Sequence, residues 1–141
     1  MSASAPAPGL LWPSLAALDR ASGVRVWLAV EAADMRCGFD RLAALAQAVT
    51  GEDPLSGQLF LFRSRGGDRL KILWWDRDGY CLWYKRLEEG LFKFPKVETG
   101  ARTLALRPSE LAMLLEGIDL SSVKRLKRYR PRGREGAANG G

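Results

Sequence analysis

Residues 58–95 read Gln-Leu-Phe-Leu-Phe-Arg-Ser-Arg-Gly-Gly-Asp-Arg-Leu-Lys-Ile-Leu-Trp-Trp-Asp-Arg-Asp-Gly-Tyr-Cys-Leu-Trp-Tyr-Lys-Arg-Leu-Glu-Glu-Gly-Leu-Phe-Lys-Phe-Pro, and their reading decides the fold. Three apolar, aromatic-rich runs are separated by Gly66-Gly67 and Asp78-Gly79, dipeptides that accept the positive φ of tight hairpin turns. The pattern predicts an antiparallel meander of Gln58–Ser64, Arg69–Trp75 and Tyr80–Leu87, with Leu91–Phe94 as a possible fourth strand.

Two-residue turns at both dipeptides predict a register. Arg63 faces Leu70, Leu61 faces Ile72 and Leu59 faces Trp74. Across the second turn, Trp75 faces Leu82, Leu73 faces Tyr84 and Lys71 faces Arg86. Side chains alternate along a strand. One face then carries Leu59, Leu61, Leu70, Ile72, Trp74, Cys81 and Trp83. The other carries Phe60, Phe62, Leu73, Trp75, Leu82 and Tyr84, with Arg69, Lys71 and Arg86 toward one end. Both faces are apolar, so helices cover both or one is a binding surface. Lys71 and Arg86, if adjacent, require a partner that relieves their repulsion.

Upstream, Val24–Val30 alternates as a strand. Asp34 is placed to cap a helix whose stripe is Met35, Phe39, Leu42, Leu45 or Ala46, and Val49, with Gly38 inside it and Gly51 at its end. Downstream, Thr103–Arg107 reads as a short strand. Pro108 stands at a first helical position, Leu111, Leu114 and Leu115 form a stripe, and Gly117 stops it. The fold class is α+β: a mostly antiparallel sheet built on the 58–87 meander, with one or two helices packed on it. Residues 23–120 form the single domain. Residues 1–22 are a flexible or partly helical extension, and residues 121–141 a basic, disordered tail.

A hydrophobic content of 47% suffices for a core. No apolar run reaches the ~20 residues that span a bilayer, and the start lacks a basic leader. Cys37 and Cys81 match no metal or redox spacing, which predicts reduced thiols in a cytoplasmic protein, with a disulfide as the minor alternative. Charge is unevenly distributed. Through residue 120, fifteen basic residues balance fifteen acids, while the remaining residues hold seven basic residues and one acid. The whole +6 therefore sits in the tail, as expected for an anionic partner such as nucleic acid, or for a tail that only aids solubility.

The chain contains no histidine, which excludes Ser-His triads and histidine metal sites. Carboxylates alone can support metal-dependent nuclease chemistry, with Asp34, Asp40 or Asp76 as candidates. Asp34 and Asp40 lie at and within a helix and Asp76 in a turn, which favours turn and capping roles instead. No glycine-rich phosphate loop of the Walker type is present. Nucleic-acid binding has better material. Trp75 and Tyr84 offer stacking surfaces, and Arg36, Arg69, Lys71, Lys85 and Arg86 offer cations on the body. Lys124, Arg125, Lys127, Arg128 and Arg130 do so on the tail. Arg63, Arg65, Arg69 and Arg77 cluster at or near turns, as a solvated rim or a phosphate-contacting edge.

Asp34-Met-Arg-Cys-Gly-Phe-Asp40, Asp53-Pro-Leu-Ser-Gly57, Phe60-Leu-Phe-Arg63, Gly67-Asp-Arg-Leu-Lys-Ile-Leu-Trp-Trp-Asp76, Gly79-Tyr-Cys-Leu-Trp-Tyr-Lys-Arg-Leu-Glu88 and Leu111-Ala-Met-Leu-Leu-Glu-Gly-Ile-Asp119 stand in order. This set resembles the small TnpB accessory family of the bacterial insertion sequence (IS) family 66, over roughly Val24 to Leu120. Cys37 stands where that family usually carries a basic residue. The resemblance implies a role in transposition beside a separate transposase that performs the strand transfer. It supplies no mechanism and no catalytic residue to carry over, and no cofactor is expected. The expected function is non-catalytic: binding the transposase, the element DNA, or both. A protein-interaction module without nucleic-acid binding is the alternative, and a metal-dependent nuclease a distant third.

Overall fold

The computed structural model describes residues 23–120. Five strands and two helices succeed one another: β1 (Val26–Ala29), α1 (Phe39–Thr50), β2 (Leu59–Arg63), β3 (Arg69–Asp76), β4 (Gly79–Arg86), β5 (Thr103–Leu106) and α2 (Pro108–Leu115). They form one sheet of order β4-β3-β2-β1-β5. The expected α+β class and meander are present. β1 and β2 are parallel, joined through α1, and every other neighbouring pair is antiparallel.

The sheet has an apolar cluster on each face, and the alternation of side chains decides which residue joins which. On one face Val26, Leu28, Leu59, Leu61, Leu70, Ile72 and Leu106 pack with Leu111 and Leu114 of α2, and with Phe92 and Leu120. On the other, Ala29, Phe60, Phe62 and Leu73 pack with Leu42, Ala43 and Ala46 of α1. Helices thus cover both faces, the first of the two arrangements that the all-apolar strands allow.

The first hairpin keeps its expected register, with Arg63 opposite Leu70 and Leu61 opposite Ile72. Its connection is longer than two residues. The Ser64 amide donates to the Arg69 carbonyl at 3.0 Å, and Gly67 turns the chain at φ 81°. The second hairpin departs from expectation. Asp76 pairs with Gly79, so Arg77-Asp78 is the turn, and every pair slips by two: Trp75 faces Tyr80, Leu73 faces Leu82, and Lys71 faces Tyr84. Arg77 takes φ 52°, and the Asp78 amide donates back to the Asp76 carbonyl. A slip of two preserves side-chain parity, so the two faces keep their expected residues.

Three local expectations are corrected. Asp34 does not cap α1. Its carboxylate accepts from the Arg36 amide at 2.9 Å in a turn of its own, and the helix begins only after Gly38, which is its N-cap. Glycine weakens a helix interior, so the start falls beyond it. Met35 is therefore outside the helix, Phe39 is exposed, and the buried stripe is Leu42, Ala43 and Ala46. Second, Leu91–Phe94 is not a strand. Phe92 alone is buried, and its amide donates to the Gly67 carbonyl at 3.0 Å. Third, Lys71 and Arg86 are not neighbours; Arg69 faces Arg86 instead. At the other end Pro108 opens α2 as expected, and the buried Glu110 carboxylate accepts from the Arg107 amide at 2.8 Å. The expected extension 1–22 and tail 121–141 lie outside the described residues.

Candidate nucleic-acid interface

The parallel β1–β2 pair has a carboxyl end, and two connections meet there. One is the β1–α1 segment Ala32–Arg36. The other is the β2–β3 turn, Ser64 to Asp68. The Ala33 amide donates to the Arg63 carbonyl at 2.9 Å and ties the two together. Between them opens a cleft of about 600 Å³, lined by Asp34, Met35, Arg36, Ser64, Arg65, Asp68, Arg69 and Tyr84 among others. In open α/β sheets, crevices outside the carboxyl ends of parallel strands are common ligand positions, and the single parallel pair here presents the same local end.

Three guanidinium groups line this cleft. Arg36 is held by Asp34 through a bidentate pair, Nη2 to Oδ2 at 2.8 Å and Nε to Oδ1 at 3.1 Å, yet its side chain remains 91% exposed. The Arg36 side-chain and backbone donors hold the Asp34 carboxyl well below the usual carboxylate range, and the same pairing raises Arg36. Arg65 is exposed at the turn and makes no ion pair among the described residues. Arg69 Nη1 donates to the Tyr84 hydroxyl at 3.5 Å. Asp68 is drawn toward Ser64, whose hydroxyl donates to its Oδ1 at 3.3 Å. Three arginines against two aspartates leave the lining net positive.

Lys71 supports the cleft from beneath. It is buried, and its ammonium donates to the Cys37 carbonyl at 2.8 Å while sitting 4.7 Å over the Tyr84 ring. The carbonyl and the ring together offset part of the cost of burying that charge. The repulsion expected between Lys71 and Arg86 does not arise, because Lys71 faces Tyr84, and Arg86, which faces Arg69, pairs with Glu88. Tyr84 is 47% exposed above Lys71. An aromatic ring with guanidinium groups around it can stack a base and bind phosphate oxygens by forked hydrogen bonds.

The sequence-derived candidates divide in the structure. Arg36, Arg69 and Tyr84 line the cleft, and Lys71 braces it. Trp75 shares their face but lies toward the other end of β3, packed edge-on against Tyr80 with ring centres 5.1 Å apart. Tyr80 and Tyr84 are four residues apart on the strand, roughly 13 Å. Lys85 alternates to the opposite face, and Arg86 pairs with Glu88 at 3.0 Å. Lys124, Arg125, Lys127, Arg128 and Arg130 lie outside the described residues. Arg65, noted in the sequence only as rim or edge, is the addition; its place next to the glycine pair was the available signal. Arg63 is structural: its Nε donates to the Val30 carbonyl at 2.7 Å.

The other chemistries find little material. Among the described residues, no group of three or more Cys, Asp or Glu could hold a metal ion. Cys37 and Cys81 are free thiols serving opposite faces of the sheet, and burial, with Asp76 and Asp78 nearby, pushes the Cys81 thiol up. Among the described residues no helix is long and apolar enough to cross a membrane.

Comparison with known proteins gives one consistent result. A family model described as "IS66 Orf2 like protein" matches residues 24–125. An uncharacterized protein of Sinorhizobium fredii (strain NBRC 101917 / NGR234), y4hO, is 48% identical over 102 residues, covering 72% of this chain and 87% of its own length. A second from the same strain, y4jC, is 39% identical over 109 residues, covering 77% and 92%. No solved structure matches.

Proposed function

The chain belongs to the IS66 Orf2-like family of insertion-sequence proteins, and from that premise we propose that it is a non-catalytic accessory protein of transposition that binds element DNA beside a separate transposase, in the cytoplasm. The supporting observation is the cleft at the carboxyl end of β1 and β2, which Arg36, Arg65 and Arg69 line together with the half-exposed ring of Tyr84. Positive donors around a stacking surface suit a nucleic-acid strand better than an apolar or cationic partner. The seven basic residues after position 120 add a sequence-independent attraction to phosphate. Strand-transfer chemistry is left to the transposase. The two aspartates of the cleft are engaged locally, Asp34 by Arg36 and Asp68 by the Ser64 hydroxyl.

The test is a fluorescence anisotropy titration of the full chain with labelled element-end DNA over a salt series. Binding should weaken steeply with added salt, and Arg65→Ala with Arg69→Ala should weaken it at every salt concentration. Affinity indifferent to salt and to both substitutions would sink the reading. Association with the transposase is measured separately, by pull-down with and without terminal DNA.

A further inference from the structure

Among the described residues the sheet ends on one side at β4, eight residues long and paired to β3 one-to-one along its whole length. The Asp76–Gly79 pair closes the two-residue turn, so it is a hydrogen-bonded pair, and ladder bonds alternate from there. The amides and carbonyls of Tyr80, Leu82, Tyr84 and Arg86 therefore point away from β3, off the edge of the sheet. Edges are usually guarded by proline, a bulge, brevity or charged side chains. β4 is long and has no proline or bulge, and its charges, Lys85 and Arg86, stand together at one end. The opposite edge, β5, is only four residues long.

The charges of the hairpin are sorted by end. Asp76 and Asp78 stand at its turn, and Lys85 and Arg86 at the far end. An antiparallel copy of the same strand reverses that order, so acid meets base at both ends. We propose that the β4 edge is a self-association surface on which a second copy of this chain lays its own β4, antiparallel, with Leu82 opposite Leu82. In that register the outward-pointing residues meet each other: Tyr80 lies opposite Tyr84 of the second copy, and Arg86 beside its Asp78. The aromatic cross-strand pairs and the two acid–base contacts favour this alignment over a parallel one, which sets like charges together. Arg86 is available for the exchange, because its bond to Glu88 joins two exposed side chains and is weak. The two-fold axis runs through the sheet between the facing Leu82 residues. Both Arg36/Arg65/Arg69 clefts then open on the same side of the continuous sheet.

Sedimentation equilibrium of the full chain without DNA provides the first test. A reversible monomer–dimer equilibrium is expected, and a monomer at every concentration up to the solubility limit overturns the proposal. Arg86→Asp and Asp78→Arg each place like charges together twice per dimer and should raise the dimer dissociation constant about five- to tenfold. The double substitution should restore it. Both positions are exposed, so folding is not at stake, and circular dichroism verifies it. Facing residues of a bonded antiparallel pair have Cα atoms about 5.5 Å apart, within disulfide reach. With Cys37 and Cys81 changed to Ser, Leu82→Cys should therefore cross-link under mild oxidation far faster than Lys85→Cys. Equal cross-linking at the two positions, or no rescue by the charge exchange, refutes the register and with it the proposal.

Discussion

The Lys71 ammonium lies 4.7 Å from the centre of the Tyr84 ring, and from that position it also donates to the Cys37 carbonyl. One buried cation thus fixes both a ring of the candidate site and the loop that carries Arg36. The link runs across the sheet's end, from β3 to β4 and to the β1–α1 connection. Lys71, expected as a nucleic-acid contact, is buried and braces the groups proposed to bind there.

Lys71→Met keeps the aliphatic stem and removes the charge. Losing the charged hydrogen bond and the ring contact destabilises, while no longer burying a cation offsets part of that. A net cost of about 1 kcal/mol is expected in urea unfolding. DNA affinity should fall several-fold, through a loosened Arg36 loop. Unchanged affinity in the anisotropy titration would separate Lys71 from the site.

Arg65 and Arg69 should each account for about one unit of the slope of log K against log salt, so each Ala variant lowers the slope by about 1. Trp75→Ala should leave that slope alone, because Trp75 packs on Tyr80 toward the β3–β4 turn. A loss of slope in the tryptophan variant equal to that in the arginine variants would mean the cleft is not where phosphate is held.

Arg77 sits at φ 52°, a conformation with little cost only for glycine, asparagine or aspartate. Arg77→Gly should therefore stabilise the protein, by about 0.5–1 kcal/mol after the extra freedom of the unfolded glycine is subtracted. Thermal or urea unfolding measures it; a clear loss of stability would contradict the strain argument.

Affinity for DNA should stay within about twofold between roughly pH 5.5 and 8, because no ordinary carboxylate or guanidinium titrates there and the chain has no histidine. Asp34 sharpens this expectation. Its folded value lies below its unfolded one, so the stabilisation it contributes is present above the unfolded value and is lost only as pH falls through the folded one, in strong acid. The Asp34–Arg36 brace therefore survives throughout the window. A titration with a midpoint near neutrality would require a group outside the cleft.

Much of the sheet was legible because alternation and turn residues are local. Leu59, Leu61, Leu70 and Ile72 against Phe60, Phe62 and Leu73 reads directly as two apolar faces, and of the two arrangements this allowed, burial of both is the one found. The second turn was misplaced because Asp78-Gly79 is a strong glycine signal, whereas the structure turns one residue earlier on a strained arginine. Phe92 shows the limit of pattern. It packs into the core with its backbone anchored by a hydrogen bond to the Gly67 carbonyl rather than by strand pairing, and nothing in residues 91–94 distinguishes the two. The site was half legible. Arg36, Arg69 and Tyr84 converge because β1 and β2 are parallel neighbours, a non-local fact. Trp75 and Lys85 looked equivalent to them in sequence but are separated by position and parity along the strands.

β5 completes the sheet by pairing with β1, and the Thr103 hydroxyl donates to the Leu28 carbonyl across 75 positions of chain. During synthesis on the ribosome, the first strand must therefore wait for nearly the last described one before both its flanks are satisfied. So high a contact order slows the final docking step relative to the meander, whose pairings are near in sequence. A nascent or truncated chain ending before Thr103 would present Val26–Ala29 as a naked template, the form of this protein most exposed to misassembly.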